Sequence, residues 1–171
     1  VLINRVAKAC ALLDQGAPLF PNTYRKDTDI GAVLDAYADF DQERLDELDI
    51  VFSLAGRIVS LRSFGKAAFF HFMDHSGKIQ VHVQRDALGD AAYKLFKKID
   101  VGDIVGVRGG LFRTRTNELT VRAREVVLLA KSMRPLPEKY HGLKDVETRY
   151  RRRYVDLIVT RKTREIFRKR T

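Results

Sequence analysis

The chain has 171 residues, of which 45% are hydrophobic, and a net charge of +10. This composition supplies one hydrophobic core and excludes a wholly disordered chain. No apolar run reaches the roughly 18 residues of a membrane span, and the first residues lack the order of a signal peptide. The single cysteine, Cys10, excludes an internal disulfide framework. We therefore expect a cytoplasmic chain without a membrane segment, with Cys10 as a small buried residue on a helix.

The charge is distributed unevenly along the chain. Residues 1–50 carry 5 Lys or Arg against 10 Asp or Glu, residues 51–130 carry 13 against 7, and residues 131–171 carry 14 against 5. A basic central segment followed by a still more basic one indicates a polyanionic partner. The charge pattern therefore favours nucleic acid as the partner.

An N-terminal helical extension is predicted over residues 1–50. A first helix over 1–15 is indicated by apolar residues at helical spacing, namely Leu2, Val6, Ala9 and Leu13. Its other side includes Arg5 and Lys8, so the helix either docks by its apolar face or touches RNA by its basic one. The acidic residues 27–49 predict one or two short helices that form a spacer or a cover and no site.

Residues 51–130 have the pattern of short strands. The predicted strands are 51–61, 67–74, 78–83, 104–112 and 118–129, with a helix over 87–99 between the third and the fourth. Three strands, a helix and two strands is the order of a five-stranded OB-fold barrel. The predicted fold class is mainly β with flanking helices; an ordinary α+β sheet domain is the alternative.

Strands two and three form the usual binding face of an OB barrel. Alternation directs Phe69 and His71 away from the core, together with Gln80 and His82. An exposed phenyl ring can stack on any base, which contributes about 1–3 kcal/mol. A neighbouring amide such as Gln80 can then distinguish bases by its donor and its acceptor. These residues predict a nucleobase-binding face.

Two loops beside this face carry further candidates. Arg62 and Lys66 precede strand two, and the turn between strands four and five carries Arg113, Arg115 and Glu118. The basic residues suit phosphates, and Glu118 can accept a hydrogen bond from a base. The alternative for Glu118 is a surface ion pair with one of the arginines. No catalytic arrangement and no metal-ligand spacing is found, so neither a catalytic nor a metal site is predicted.

The last segment, 131–171, is predicted to be a linker and a basic helix. It begins with a proline-braced connector, Arg134–Leu143, which leads into the basic stretch Thr148–Ile158. Both stretches resemble the segment that follows the barrel in bacterial-type lysyl-tRNA synthetases. The motifs Gly65–Phe69, Ile79–Val81 and Gly102–Gly106 resemble the barrel of the lysine/aspartate/asparagine subgroup of class II synthetases, and Leu111–Leu119 resembles its lysine branch.

The resemblance implies that the barrel binds the uridine-rich anticodon of a lysine-accepting tRNA. By position, Phe69 matches the residue that stacks on the middle anticodon base and Gln80 the amide that recognises it. Arg62 and Glu118 match further anticodon-contacting positions. His82 stands where Phe or Tyr is usual in the family, which weakens the expectation of a second stacking platform.

The resemblance also implies a homodimeric parent that joins lysine to its tRNA with ATP and Mg²⁺. The ATP- and lysine-binding motifs of that family are not found in this chain, so we expect no cofactor here and no activity from the chain alone. One alternative function is a general single-strand-binding OB module without base preference. Another is a barrel that meets a protein partner.

Overall fold

Five strands close into a barrel within the first of two units of the chain. The computed structural model describes residues 1–48, 50–137, 143 and 145–170, and the two units are Val1–Arg134 and Pro135–Thr171. The strands are β1 Phe52–Phe64, β2 Ala67–Met73, β3 Lys78–Gln84, β4 Ile104–Arg113 and β5 Leu119–Ala130. Their order around the barrel is β1-β2-β3-β5-β4. The predicted OB barrel is confirmed; the predicted division into three segments stays a prediction.

The helices lie before, within and after the barrel sequence. They are α1 Leu2–Leu13, α2 Ile30–Tyr37, α3 Gln42–Glu47, α4 Arg85–Leu88, α5 Asp90–Phe96, α6 Val146–Arg151, α7 Arg153–Val159 and α8 Arg161–Arg170. The single helix predicted over 87–99 is wrong, because Gly89 adopts a φ of +82° and separates α4 from α5. None of these helices has both the length and the apolarity needed to cross a membrane, in the part of the chain that the structure describes.

The core fills the barrel and continues under α2. Burial alternates along the strands as predicted, with Phe70 and Phe72 of β2 and Val81 and Val83 of β3 inside. Ile30 and Val33 of α2 are buried against the same cluster. The acidic segment therefore covers the core, as expected.

Asp74 holds the start of α2 against the turn between β2 and β3. One carboxylate oxygen accepts from the Ile30 N–H at 2.9 Å, and the other accepts from the N–H groups of Ser76 and Gly77. Partial burial opposes ionisation of Asp74, but these hydrogen bonds outweigh it and hold its pKa below the usual value. The carboxylate thus anchors the cover to the barrel.

Helix α1 packs by a different face from the one predicted. Its buried residues are Arg5, Ala9 and Leu12, while Leu2, Val6 and Leu13 are exposed. The Arg5 guanidinium donates to the carbonyls of Ser132 and Val101 at 2.7 and 2.8 Å. Because Arg5 is buried on these carbonyls, the RNA-touching interpretation is wrong for it. The expected burial of Cys10 is also wrong, since this residue is exposed.

A buried ion pair fixes the end of β5. The Lys131 side chain is fully buried, and its ammonium lies 2.7 Å from both Asp103 Oδ2 and Asp100 Oδ2. The second oxygen of Asp103 accepts from the Ser132 N–H at 2.8 Å. Removing one partner of such a pair costs about 3–5 kcal/mol, since it strands a buried charge. The backbone is therefore clamped where it leaves the barrel.

The second unit is built around a buried carboxylate. Asp156 of α7 is fully buried and accepts hydrogen bonds from Arg153, Thr160 and Thr163. The basic helix predicted within 148–158 is present as α6 and α7, which meet at Arg152. Half of the predicted connector Arg134–Leu143, residues 138–142, lies outside the described residues.

The close approach of β4 and β5 predicts that alanine substitutions at Gly109 and Gly110 change the free energy of unfolding by different amounts. A Cβ at Gly109 would lie 2.1 Å from the Arg122 carbonyl oxygen, whereas one at Gly110 would meet only Ile50 O at 3.5 Å. We expect Gly109→Ala to lower the free energy of unfolding by about 1–3 kcal/mol, because backbone must move. Gly110→Ala should change it by less than about 1 kcal/mol. Urea unfolding followed by circular dichroism measures both, and equal losses would contradict the close approach.

Candidate nucleic-acid interface

An open groove of about 580 Å³ brings together seven of the eight predicted site residues. Its walls come from the end of β1, from β2 and β3, and from the turn between β4 and β5. The lining residues are Arg62, Phe64, Phe69, Gln80, His82, Phe112, Arg113, Thr114, Arg115, Thr116 and Glu118. Lys66, the eighth, is exposed in the turn between β1 and β2 and is not among them.

Aromatic rings line one side of the groove. Phe69 and His82 are cross-strand partners whose ring centroids lie 4.4 Å apart with planes 18° from parallel. The centroid of Phe112 lies 5.8 Å from that of His82 with the two planes 53° apart, and the Arg122 guanidinium lies 4.8 Å from the Phe112 centroid. His82 therefore stacks on one face of the Phe69 ring. Phe112 and Arg122 were not predicted, because their approach depends on how β3 meets β5.

A hydrogen-bonded network holds the polar side of the groove. Gln80 Nε2 donates to Glu118 Oε2 at 2.6 Å, and His71 Nε2 lies 2.9 Å from Glu118 Oε1. Thr120 Oγ1 donates to Gln80 Oε1 at 3.2 Å, and Ser60 Oγ lies 3.0 Å from His71 Nδ1. Glu118 thus turns toward Gln80 and His71, so the ion pair with a neighbouring arginine does not describe its contacts.

The Arg113 side chain has a structural role that was not predicted from the sequence. Four of its five side-chain N–H groups are engaged by backbone carbonyls, those of Tyr37, Phe40, Ala38 and Asn117. This side chain ties the segment between α2 and α3 to the turn between β4 and β5. Arg62 and Arg115 are exposed at the groove. A phosphate contact is therefore better suited to these two residues than to Arg113, whose predicted role stays untested.

One group of possible metal ligands occurs in the described residues, and none of its members lines the groove. Ligand atoms of Asp29, Asp74 and His75 lie within 4.8 Å of one another. Both Asp74 oxygens already accept backbone N–H groups, and Asp29 is paired with Lys26. Hydrogen bonding and charge pairing account for this cluster without an ion.

The surroundings of His82 predict that its imidazole has a lowered pKa. Burial lowers the pKa of its imidazole, and the positive charge of Arg122 lowers it further. Folding stability should therefore fall as the pH drops from about 6.5, the usual histidine pKa, toward the folded value, because the unfolded chain binds the proton more readily. NMR titration of the ring should give a midpoint below 6.5.

Arg122→Gln should raise that midpoint without exposing the partly buried ring, and Arg122→Lys, which keeps the charge, should leave it low. A midpoint at or above about 6.5 in the unmodified chain would contradict the effect of partial burial and of the Arg122 charge on the imidazole.

Comparison with known proteins supports a nucleic-acid-binding barrel. Residues 52–129 match the family of OB-fold nucleic acid binding domains, in its tRNA anticodon-binding form. The chain is 46% identical over 166 residues to lysine–tRNA ligases of Bacillus cereus (strain AH187), Bacillus thuringiensis (strain Al Hakam) and Bacillus anthracis. Each match covers 97% of this chain and 33% of the relative, so the chain spans about a third of their length. Residues 52–129 therefore match the anticodon-binding OB-fold family, and the chain is similar to the N-terminal region of lysine–tRNA ligases.

Proposed function

We propose that this chain binds the anticodon loop of a lysine-accepting tRNA and reads a uridine in it. The observation that carries the proposal is the Gln80–Glu118 hydrogen bond of 2.6 Å, beside the stacked rings of Phe69 and His82 in one open groove. A general single-strand-binding module needs rings and positive charge but has no use for a fixed carboxylate. The similarity to lysine–tRNA ligases supports the same choice.

The base would stack on Phe69. Since His82 lies against one face of the Phe69 ring, the incoming base extends the stack from the groove side. Stacking contributes about 1–3 kcal/mol per base but does not distinguish bases, since every base has a flat face. The stack therefore provides affinity and position, and selection requires polar groups.

Gln80 and Glu118 would provide that selection. One amide hydrogen of Gln80 is used by Glu118, so the second hydrogen remains to donate to a base carbonyl. A carboxylate accepts hydrogen bonds only. It would accept the N3–H of uridine, but it would face a lone pair at N3 of cytidine. The pair therefore attracts uridine and disfavours cytidine.

Exposed basic residues at the groove would hold the RNA backbone. Arg62 and Arg115 line it, and Lys66 is exposed in the adjacent turn. Contacts of this kind release counterions, so the affinity should fall steeply as salt is raised.

The proposal is tested with a lysine-type anticodon stem-loop and the same loop with its middle uridine changed to cytidine, at fixed salt. We expect the change to weaken binding by about 1–3 kcal/mol, the range for one well-read base. Gln80→Ala should remove most of the difference, while Phe69→Ala should weaken both loops.

Phe20→Ala is the matched control, because Phe20 is also an exposed phenylalanine, 65% accessible, outside the residues that line the groove. Equal binding of the two loops by the unmodified chain would favour the general single-strand module.

We further propose that lysine activation takes place outside this chain. The relatives are about three times as long, and the sequence shows none of the ATP- or lysine-binding motifs of the resembled family. A homodimeric cytoplasmic parent would use ATP and Mg²⁺ in that other region. The purified chain should show no lysine-dependent exchange of pyrophosphate into ATP, beside an active lysine–tRNA ligase as positive control. Measurable exchange by the chain would overturn this.

A further inference from the structure

His71 lies next to the groove without being part of its lining. It belongs to β2, two residues after Phe69, and its side chain is 26% exposed. Its two ring nitrogens contact different strands of the barrel surface: Nδ1 lies 3.0 Å from Ser60 Oγ of β1, and Nε2 lies 2.9 Å from Glu118 Oε1. The imidazole is thus a bridge between β1 and the residue that precedes β5.

The direction of these hydrogen bonds follows from their chemistry. An ionised carboxylate can only accept, so His71 Nε2 carries the proton and donates to Glu118. In the neutral ring the other nitrogen then accepts, and Ser60 donates its hydroxyl hydrogen to Nδ1. The Glu118 carboxylate therefore fixes the histidine tautomer, and the Ser60 hydroxyl supports the ring by its hydrogen bond at Nδ1.

Glu118 needs such support because of where it lies. It stands in the turn before β5, and its side chain is 44% exposed. An exposed glutamate on a turn is free to sample several rotamers. Here one carboxylate oxygen is held by His71 and the other by Gln80. Two anchors, one at each oxygen, define the plane of the carboxylate.

We propose that His71 is a positioning residue for base selection, which rests on the proposed function. It touches no base; it holds the Glu118 carboxylate in the plane where the acceptor meets N3–H of uridine and opposes N3 of cytidine. Without His71 the Glu118 carboxylate turns away from the base. The repulsion between the carboxylate and N3 of cytidine is then lost, and so is the hydrogen bond from N3–H of uridine. Stacking and phosphate contacts are unaffected, so discrimination falls more than affinity does.

The test compares the ratio of Kd values for the cytidine and uridine loops. His71→Leu, which keeps the bulk but has no donor, should reduce this ratio about 3- to 10-fold, the range expected for the net contribution of one ordinary hydrogen bond. His71→Gln, whose amide can place a donor near the position of Nε2, should retain the ratio within about twofold. Ser60→Ala should give a smaller reduction, since it removes only the hydrogen bond that supports the ring at Nδ1.

His75→Gln is the control, because His75 is 63% exposed in the turn between β2 and β3 and does not line the groove. An independent readout is the ¹⁵N NMR spectrum of the imidazole in the unmodified chain, which should show the proton on Nε2. A proton on Nδ1 in the neutral ring would overturn the proposal even if His71→Leu failed to fold.

The outcomes separate the two proposals. If the unmodified chain binds both loops equally, the proposed reading of uridine fails and this inference fails with it. If the unmodified chain discriminates and a folded His71→Leu variant discriminates equally well, only the role of His71 is overturned.

Discussion

The candidate interface depends on the parallel pairing of β3 with β5. This contact closes the barrel and sets Gln80 opposite Thr120 and His82 opposite Arg122. The other four strand contacts are antiparallel and join β1 to β2 and β4, β2 to β3, and β4 to β5. The groove therefore lies where the β2–β3 hairpin meets the β4–β5 hairpin. If β3 and β5 separated, both hairpins would keep their side chains, but these would no longer form one site.

Each hairpin contributes one aromatic and one polar side chain to the groove at this contact. The β2–β3 hairpin contributes Phe69 and Gln80, and the β4–β5 hairpin contributes Phe112 and Glu118. Stacked rings and fixed polar groups serve different purposes there. The rings accept any base, whereas the carboxylate and the amide are held by neighbouring hydrogen bonds before any ligand arrives. Ordering these groups in advance reduces the entropy that is lost on binding.

Arg113 shows how the cover and the interface are joined. Its guanidinium donates to carbonyls between α2 and α3 and to Asn117 in the turn between β4 and β5. Asn117 has a φ of +61°, and the turn also places Glu118. The acidic segment, which forms no part of the groove, thereby helps to fix the loop that carries the Glu118 carboxylate.

The sequence predicted the strand order and the outward direction of Phe69 and Gln80, because both follow from alternation within single strands. It did not predict Phe112, Arg122 or the contacts of His71, since these depend on the registers in which different strands pair, which no local pattern encodes. The face of α1 was missed for a different reason. A prediction from hydrophobic periodicity treats arginine as a surface residue. Arg5 is nevertheless buried, because the carbonyls of Val101 and Ser132 accept hydrogen bonds from its guanidinium. The break between α4 and α5 was missed because it depends on the φ of a single residue, Gly89.

The same Arg5 contact has a topological consequence. A hydrogen bond of 2.7 Å from Arg5 to Ser132 means that the first and last residues of the barrel unit are neighbours in space. Val1 stands four residues, about 6 Å along the helix axis, before Arg5. A linker of a few residues from Arg134 back to Val1 can therefore span the gap. The unit is suited to circular permutation, with new ends opened in an exposed turn away from the groove, and to insertion as a self-contained barrel into a loop of another protein.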